Sequence, residues 1–163
     1  MGKFNLNILT SSKGFTLVEL LITLSIAAIL ISMAVPSFTS TITNNRITTQ
    51  VNELISSLSY ARSEAVSRGM SISLNSASTT WHTGWEIQDN ASTVFRNHAA
   101  FEGTNSLIGS VDEITYLSSG FLAGADEIEF TLCDNNQDSI GRTILISVTG
   151  RASVSETPCN NSE

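Results

Sequence analysis

Glu19 is the residue whose chemistry most needs an explanation, because it is the only charged side chain between Lys13 and Arg46. It sits near the head of Phe15 to Val35, 21 apolar-rich residues that as a helix would rise about 31 Å, against a hydrocarbon core of roughly 30 Å. A carboxylate costs roughly 2.5–3.5 kcal/mol to insert at mid-helix, and less near an end, so something must offset it. Cys133 and Cys159 are the only two cysteines. In an oxidising compartment their natural chemistry is a disulfide, whose loop of about 27 residues would be worth roughly 3–4 kcal/mol in the chain-entropy model. A pair of free thiols or a metal site is the rival, yet it lacks partners, since the only histidines, His82 and His98, lie in unrelated segments. Asp134-Asn135-Asn136-Gln137-Asp138 presents oxygens at alternate positions like the first half of a calcium loop. Ser139 then stands where such a loop needs Gly, and Leu145 where it needs a bidentate Glu, which favours a polar turn. No G-x-S-x-G, HExxH or phosphate-cradling glycine loop is present, so an enzyme is not expected.

These groups need elements to carry them. Lys3 and Lys13 precede the apolar run and no cation follows until Arg46, which places the segment before the run in the cytoplasm and the rest outside. The run is too long for a secretory signal core and lacks a small-residue cleavage site behind it. Beyond Pro36 the pattern becomes one-sided, with Ile47, Val51, Leu54, Ile55, Leu58, Ala61 and Ala65 at spacings of three and four. That is the buried face of an amphipathic helix. Arg68 in the last turn and Gly69 after it form a stop signal, so the spacing predicts one helix from Phe15 to Arg68, kinked near Pro36.

After Gly69 the period changes to two. Met70, Ile72 and Leu74, then Trp85 and Ile87, then Ile128, Phe130 and Leu132 alternate with polar neighbours and read as half-buried strands. Thr143 to Val148 gives another, Thr149-Gly150 a tight turn and Arg151 to Ser155 a short closing strand. Between Ala91 and Ala125 only Ile114 to Leu117 reads as a strand. The fold class is therefore α+β, a long N-terminal spine helix packed on a mostly antiparallel sheet. Its expected divisions are 1–14 as a leader, 15–35 as the membrane half of the helix, 36–69 as its amphipathic half, and 70–163 as one globular domain. The formal charge of the 163-residue chain is −7. Removing the two leader lysines leaves −9, which disfavours broad attraction to nucleic acid or anionic lipid without forbidding a local basic patch.

Gly14-Phe15-Thr16-Leu17-Val18-Glu19-Leu20-Leu21, with Pro36 behind it, resembles the class III signal of type IV pilins and pseudopilins. The resemblance implies that a prepilin peptidase cuts between Gly14 and Phe15, that Phe15 becomes an N-methylated terminus, and that Glu19 faces the terminal amine of a neighbouring subunit during assembly. Asn52-Glu53-Leu54, Ala61-Arg62-Ser63-Glu64-Ala65, Arg68-Gly69, Gly84-Trp85 and Gly150-Arg151 follow in an order similar to that of the FimT/GspH family of minor pilins and pseudopilins. That likeness implies a single-pass inner-membrane protein with a periplasmic domain and no cofactor. Its implied partners are other major and minor pilins or pseudopilins, the prepilin peptidase and the inner-membrane assembly platform, in a type IV pilus or in type II secretion. Some FimT-type relatives take part in DNA uptake through a C-terminal Gly-Arg-x-Arg motif. Here Gly150, Arg151 and Ala152 fit and Ser153 replaces the second arginine. Arg151, Arg142 and Arg96 are thus the candidate DNA contacts.

Overall fold

The computed structural model describes residues 14–78, 80–134 and 140–159. Its chain divides into two compact units, 1–40 and 41–163. A single helix, α1 (Leu17–Arg68), runs through the boundary, and position 36 is helical, so the proline does not end it. In the first unit the described side chains of α1 have no core to join. Leu17 is 76 % exposed, Leu20 56 %, Ile26 53 % and Met33 73 %.

In the second unit the helix buries one stripe. Ile47, Val51, Leu54, Leu58, Ala61 and Ala65 recur at alternating intervals of four and three and are all buried, as an amphipathic stripe requires. The stop signal is formed as the residue types dictate. Gly69 takes φ +66°, and the Met70 N–H reaches back to the Ala65 carbonyl at 3.2 Å. That is the six-to-one bond of a Schellman cap.

Among the described residues eight strands follow: β1 (Ile72–Ser76), β2 (Trp85–Asp89), β3 (Val94–His98), β4 (Ser106–Gly109), β5 (Glu113–Tyr116), β6 (Ile128–Cys133), β7 (Ile140–Ile146) and β8 (Ala152–Pro158). They form two four-stranded sheets, ordered β3-β2-β1-β5 and β4-β6-β7-β8, and every pairing within them is antiparallel. Ile72, Leu74 and Ile87 from the first sheet and Phe130, Leu132, Ile144 and Ile146 from the second join the helix stripe in one core. A short 3-10 turn, Trp81–Thr83, wedges Trp81 edge-on against Phe130 at 5.0 Å between ring centroids. The indole N–H of Trp81 donates to the Val111 carbonyl at 2.6 Å, which satisfies the one polar atom of that buried ring. Ser73 is buried on β1 against the alternation, and its hydroxyl meets that of Thr115 on β5 at 2.8 Å.

Three expectations are corrected. β3 and β4 lie in the stretch read as irregular. The strand expected over 143–148 runs from Ile140 to Ile146, and Ser147 to Gly150 form the turn instead. The closing strand is longer than Arg151 to Ser155, ending at Pro158.

Candidate functional site

The start of α1 is built by a reciprocal cap. Thr16 precedes the first helical residue, and its backbone N–H and hydroxyl both donate to Glu19 Oε2 at 2.9 Å. In return the Glu19 N–H donates to Thr16 Oγ1 at 3.2 Å. This is a capping box, in which the third helical residue and the N-cap satisfy each other's orphan groups. Within the chain, then, Glu19 has a partner, and its signal was present in the sequence as Thr-x-x-Glu ahead of an apolar run. Gly14 and Phe15 lie outside the helix and are exposed, Phe15 to 85 %.

At the other end of α1 a second constellation forms around Arg62. Its Nε donates to the Gly120 carbonyl at 2.8 Å and its Nη2 to the Thr149 carbonyl at 3.0 Å. One guanidinium thus ties the helix to two loops that follow it by 58 and 87 residues. The planar fork of arginine suits this task as a lysine could not. Gly150 is held in the same knot, at φ +77°. A Cβ there would fall 2.5 Å from the Gly120 carbonyl oxygen and 2.9 Å from the Tyr116 ring. Burial pushes the Tyr116 hydroxyl up to about 12, with the Arg62 charge pulling the other way.

Alongside this knot runs a groove of about 570 Å³ between the last turns of α1 and the start of β8. Arg62, Arg151, Ser59, Ser63, Val66 and Ala152 are among the residues that line it. Arg151 is exposed at the head of β8, and among the described residues its guanidinium has no hydrogen-bond or ion-pair partner.

The other two candidate cations stand elsewhere. Arg142 lies on β7 with Nη2 3.2 Å from Glu156 Oε1, and its Nη1 donates to the Gly141 carbonyl. Arg96 lies on the edge strand β3, its guanidinium 4.3 Å from the centre of the Tyr60 ring. Arg142 pairs across the hairpin with Glu156 whereas Ile146, four positions nearer the turn, pairs with Ala152, so Arg142 and Arg151 occupy opposite ends of one hairpin.

Cys133 and Cys159 are joined in a disulfide, with 2.07 Å between sulfurs and 5.7 Å between Cα atoms. The bond holds the end of β8 to the end of β6. His98 stacks on Trp85 at 4.0 Å with planes 7° apart, and its Nε2 lies 3.5 Å from Glu53 Oε2. Among the described residues no group of three His, Cys, Asp or Glu is placed to hold a metal. The calcium-like stretch mostly falls on residues 135–139, outside those described. Asp134 itself is buried and accepts a bond from Thr104 Oγ1 at 3.0 Å. Nor, among the described residues, is any helix long and apolar enough to cross a membrane. The span expected over 15–35 includes Ala34 and Val35, whose side chains lie outside them.

Comparison with known proteins places this geometry. The family model described as type II transport protein GspH matches residues 50–150, and that of the prokaryotic N-terminal methylation motif matches residues 9–35. Crystal structures of the type IV minor pilin FimU of Pseudomonas aeruginosa are 31 % identical in sequence. One aligns over 69 % of this chain and 90 % of that one with a TM-score of 0.64, and a second crystal form over 66 % and 91 % with 0.60. The minor pseudopilin EpsH from the type 2 secretion system of Vibrio cholerae aligns over 68 % of this chain and 96 % of that one with a TM-score of 0.55, and at 10 % identity it supports the fold alone. No curated protein sequence matches the chain. The α+β architecture, the helix stripe and the matched segments agree, and the chain belongs to the GspH family of minor pilins and pseudopilins, structural proteins of type IV pili and type II secretion.

Proposed function

We propose that this chain is a minor pilin of a type IV pilus, matured by a prepilin peptidase between Gly14 and Phe15 and built into the filament through the first half of α1. The observation that carries the proposal is the apolar surface of that half-helix. Leu17, Val18, Leu20, Leu21, Ile22, Ile26 and Leu30 are each more than half exposed and at 3.6 residues per turn together point all around the axis, so among the described residues nothing covers them. A helix apolar all round must be buried in lipid or among other helices, and a filament core supplies the second after a bilayer has supplied the first. Anchoring in the inner membrane before assembly follows from the same surface. Exposure of Phe15 ahead of the helix supports access by the peptidase.

Glu19 fits the assembly role with one refinement. Thr16 engages its Oε2, and the second carboxylate oxygen is left to accept the terminal amine of a neighbouring subunit. Partners are other major and minor pilins and the inner-membrane platform. The FimU likeness, at three times the sequence identity of the EpsH likeness, favours the pilus over an H-type pseudopilin of type II secretion. The test is co-expression of the full chain with and without a prepilin peptidase, followed by intact mass and by recovery of the mature chain in sheared filaments. The expected outcome is loss of residues 1–14, methylation of Phe15, and co-purification with pilins. An unchanged mass with an active peptidase would end the proposal, and recovery only with secretion-pore proteins would transfer it to the pseudopilus.

A further inference from the structure

The β8 edge is built differently from the other edges of the two sheets. The first sheet ends in β3, whose pairing with β2 is broken by a bulge at Ile87/Gln88, and in β5, four residues long. The second sheet ends in β4, also four residues, and in β8, seven residues paired to β7 in unbroken register. Short or bulged edges are the usual guards against strand addition, together with proline and charge. On β8 the one proline, Pro158, comes last.

The direction of its backbone groups follows from the turn. Gly150 N–H donates to the Ser147 carbonyl and Ser147 N–H to the Arg151 carbonyl at 2.9 Å. Ser147 and Arg151 are therefore a hydrogen-bonded pair, and by strict alternation the next are Leu145 with Ser153, Thr143 with Ser155 and Gly141 with Thr157. The N–H and C=O groups of Ala152, Val154 and Glu156 consequently point away from β7, and no described strand takes them. Pro158 is the next position in that outward series, where no donor is lost.

Beside this open edge lies the groove flanked by α1, and its charge is opposite to that of the chain. Arg62 and Arg151 line it together with the hydroxyls of Ser59, Ser63 and Ser67, and among the described residues no carboxylate does, in a protein of net charge −7. Arg62 is spent on two carbonyls. Arg151 is not.

We propose that the groove receives an extended, carboxylate-bearing segment of another polypeptide, which adds to the β8 edge as a fifth strand and pairs a carboxylate with Arg151. Main-chain bonds to Ala152, Val154 and Glu156 supply affinity that any strand could use, while alternate side chains and the arginine supply selection. A local cationic groove on an acidic chain also sets register, because only a segment placing its carboxylate near Arg151 gains the pair. The inference does not depend on which filament the chain serves.

The test uses the full chain in detergent micelles and a labelled seven-residue peptide alternating valine with threonine or glutamate, carrying two glutamates, beside a twin with lysine in their place. The acidic peptide is expected to bind saturably and to slow amide exchange at Ala152, Val154 and Glu156, leaving Ser153 and Ser155 unchanged. Arg151→Glu is expected to weaken it at least tenfold and to admit the lysine twin. Val154→Pro, which removes an outward donor and none used by β7, is expected to abolish the protection, with unchanged melting confirming that each variant folds. Equal binding of both peptides, protection outside β8, or no saturation at millimolar peptide would overturn the proposal. So would Arg151-dependent binding of a DNA duplex with none of the acidic peptide, which would make the groove a polyanion site.

Discussion

Truncating Arg62 tests whether the knot at the end of α1 holds the globular unit together. The Nε bond to Gly120 is partly buried and the Nη2 bond to Thr149 is exposed. A charged donor in the first setting is worth about 1.5–3 kcal/mol, while the exposed bond is screened to about 0.5 kcal/mol. Loss of the half-buried methylene stem adds about 1 kcal/mol. Arg62→Ala should therefore destabilise by about 3–4.5 kcal/mol. For a unit spanning 41–163, at roughly 3–5 °C per kcal/mol, the melting temperature should fall by about 9–22 °C. Arg62→Met keeps most of the stem and loses both donors, and should recover only the packing share. Arg62→Lys can serve one carbonyl at a time and should fall between. Thermal unfolding followed by tryptophan fluorescence reads these values, since Trp81 and Trp85 are both in the core. Should Arg62→Met melt within about 2 °C of the native chain, water replaces the two bonds without net loss and the knot has no stabilising role.

Gly150→Ala combines a strained left-handed backbone, about 1–2 kcal/mol, with a Cβ 2.5 Å from the Gly120 carbonyl oxygen. It should cost about 3 kcal/mol or more in urea unfolding, whereas Arg151→Ala beside it should stay within about 0.5 kcal/mol; equal effects would contradict the packing account. Reducing Cys133–Cys159, a bond spanning 26 positions, should lower stability by about 3.5 kcal/mol, and a loss under about 1 kcal/mol would mean that β6 and β8 are held without it. Tyr116 is pushed up to about 12 in the folded chain against about 10 when unfolded. Its contribution is complete below pH 10 and disappears as pH rises through 12, a loss of roughly 2–3 kcal/mol. Tyr116→Phe should remove that alkaline slope, and an unaltered slope would assign it elsewhere.

How much of this was legible in the sequence depends on how local each cause is. The helix stripe and its Gly69 stop are local, as are β2 and β6, where one face meets the core and the other is more open, and β1 apart from its buried Ser73. β3 hides because Val94, Arg96 and Asn97 are all exposed, so no alternation survives on an edge strand. β4 has a single buried residue, Leu107, with Ile108 64 % exposed beside it. β7 begins early, at Ile140, and takes in Gly141 and Arg142, two residues of low strand character held there by pairing with Leu132, Thr157 and Glu156. The division into two sheets is a matter of pairing between distant segments, which periodicity does not encode. Among the site residues, the cysteine pair needed only compartment and count. Arg62 carried no sequence signal for its tie to two loops, because its acceptors are backbone carbonyls that every residue possesses.

Glu19 shows why one residue can answer to two causes at once. Its cost in an apolar run calls for a cation from another chain, but the cap formed with Thr16 acts within the chain itself, by satisfying the N–H groups of Thr16 and Glu19 where no water could. A bare carboxylate would have to enter lipid alone, and a bare helix end would enter it with orphan donors; joined, each removes part of the other's penalty. The bonds run to one oxygen, so the cap does not exhaust the acceptor. In the assembly proposed above, an arriving terminal amine would meet a carboxylate already engaged at the helix end, with less side-chain entropy left to lose on pairing. The same division of labour holds at the far end of α1, where Arg62 is consumed in building the unit and Arg151, one residue beyond the knotted Gly150, stays exposed.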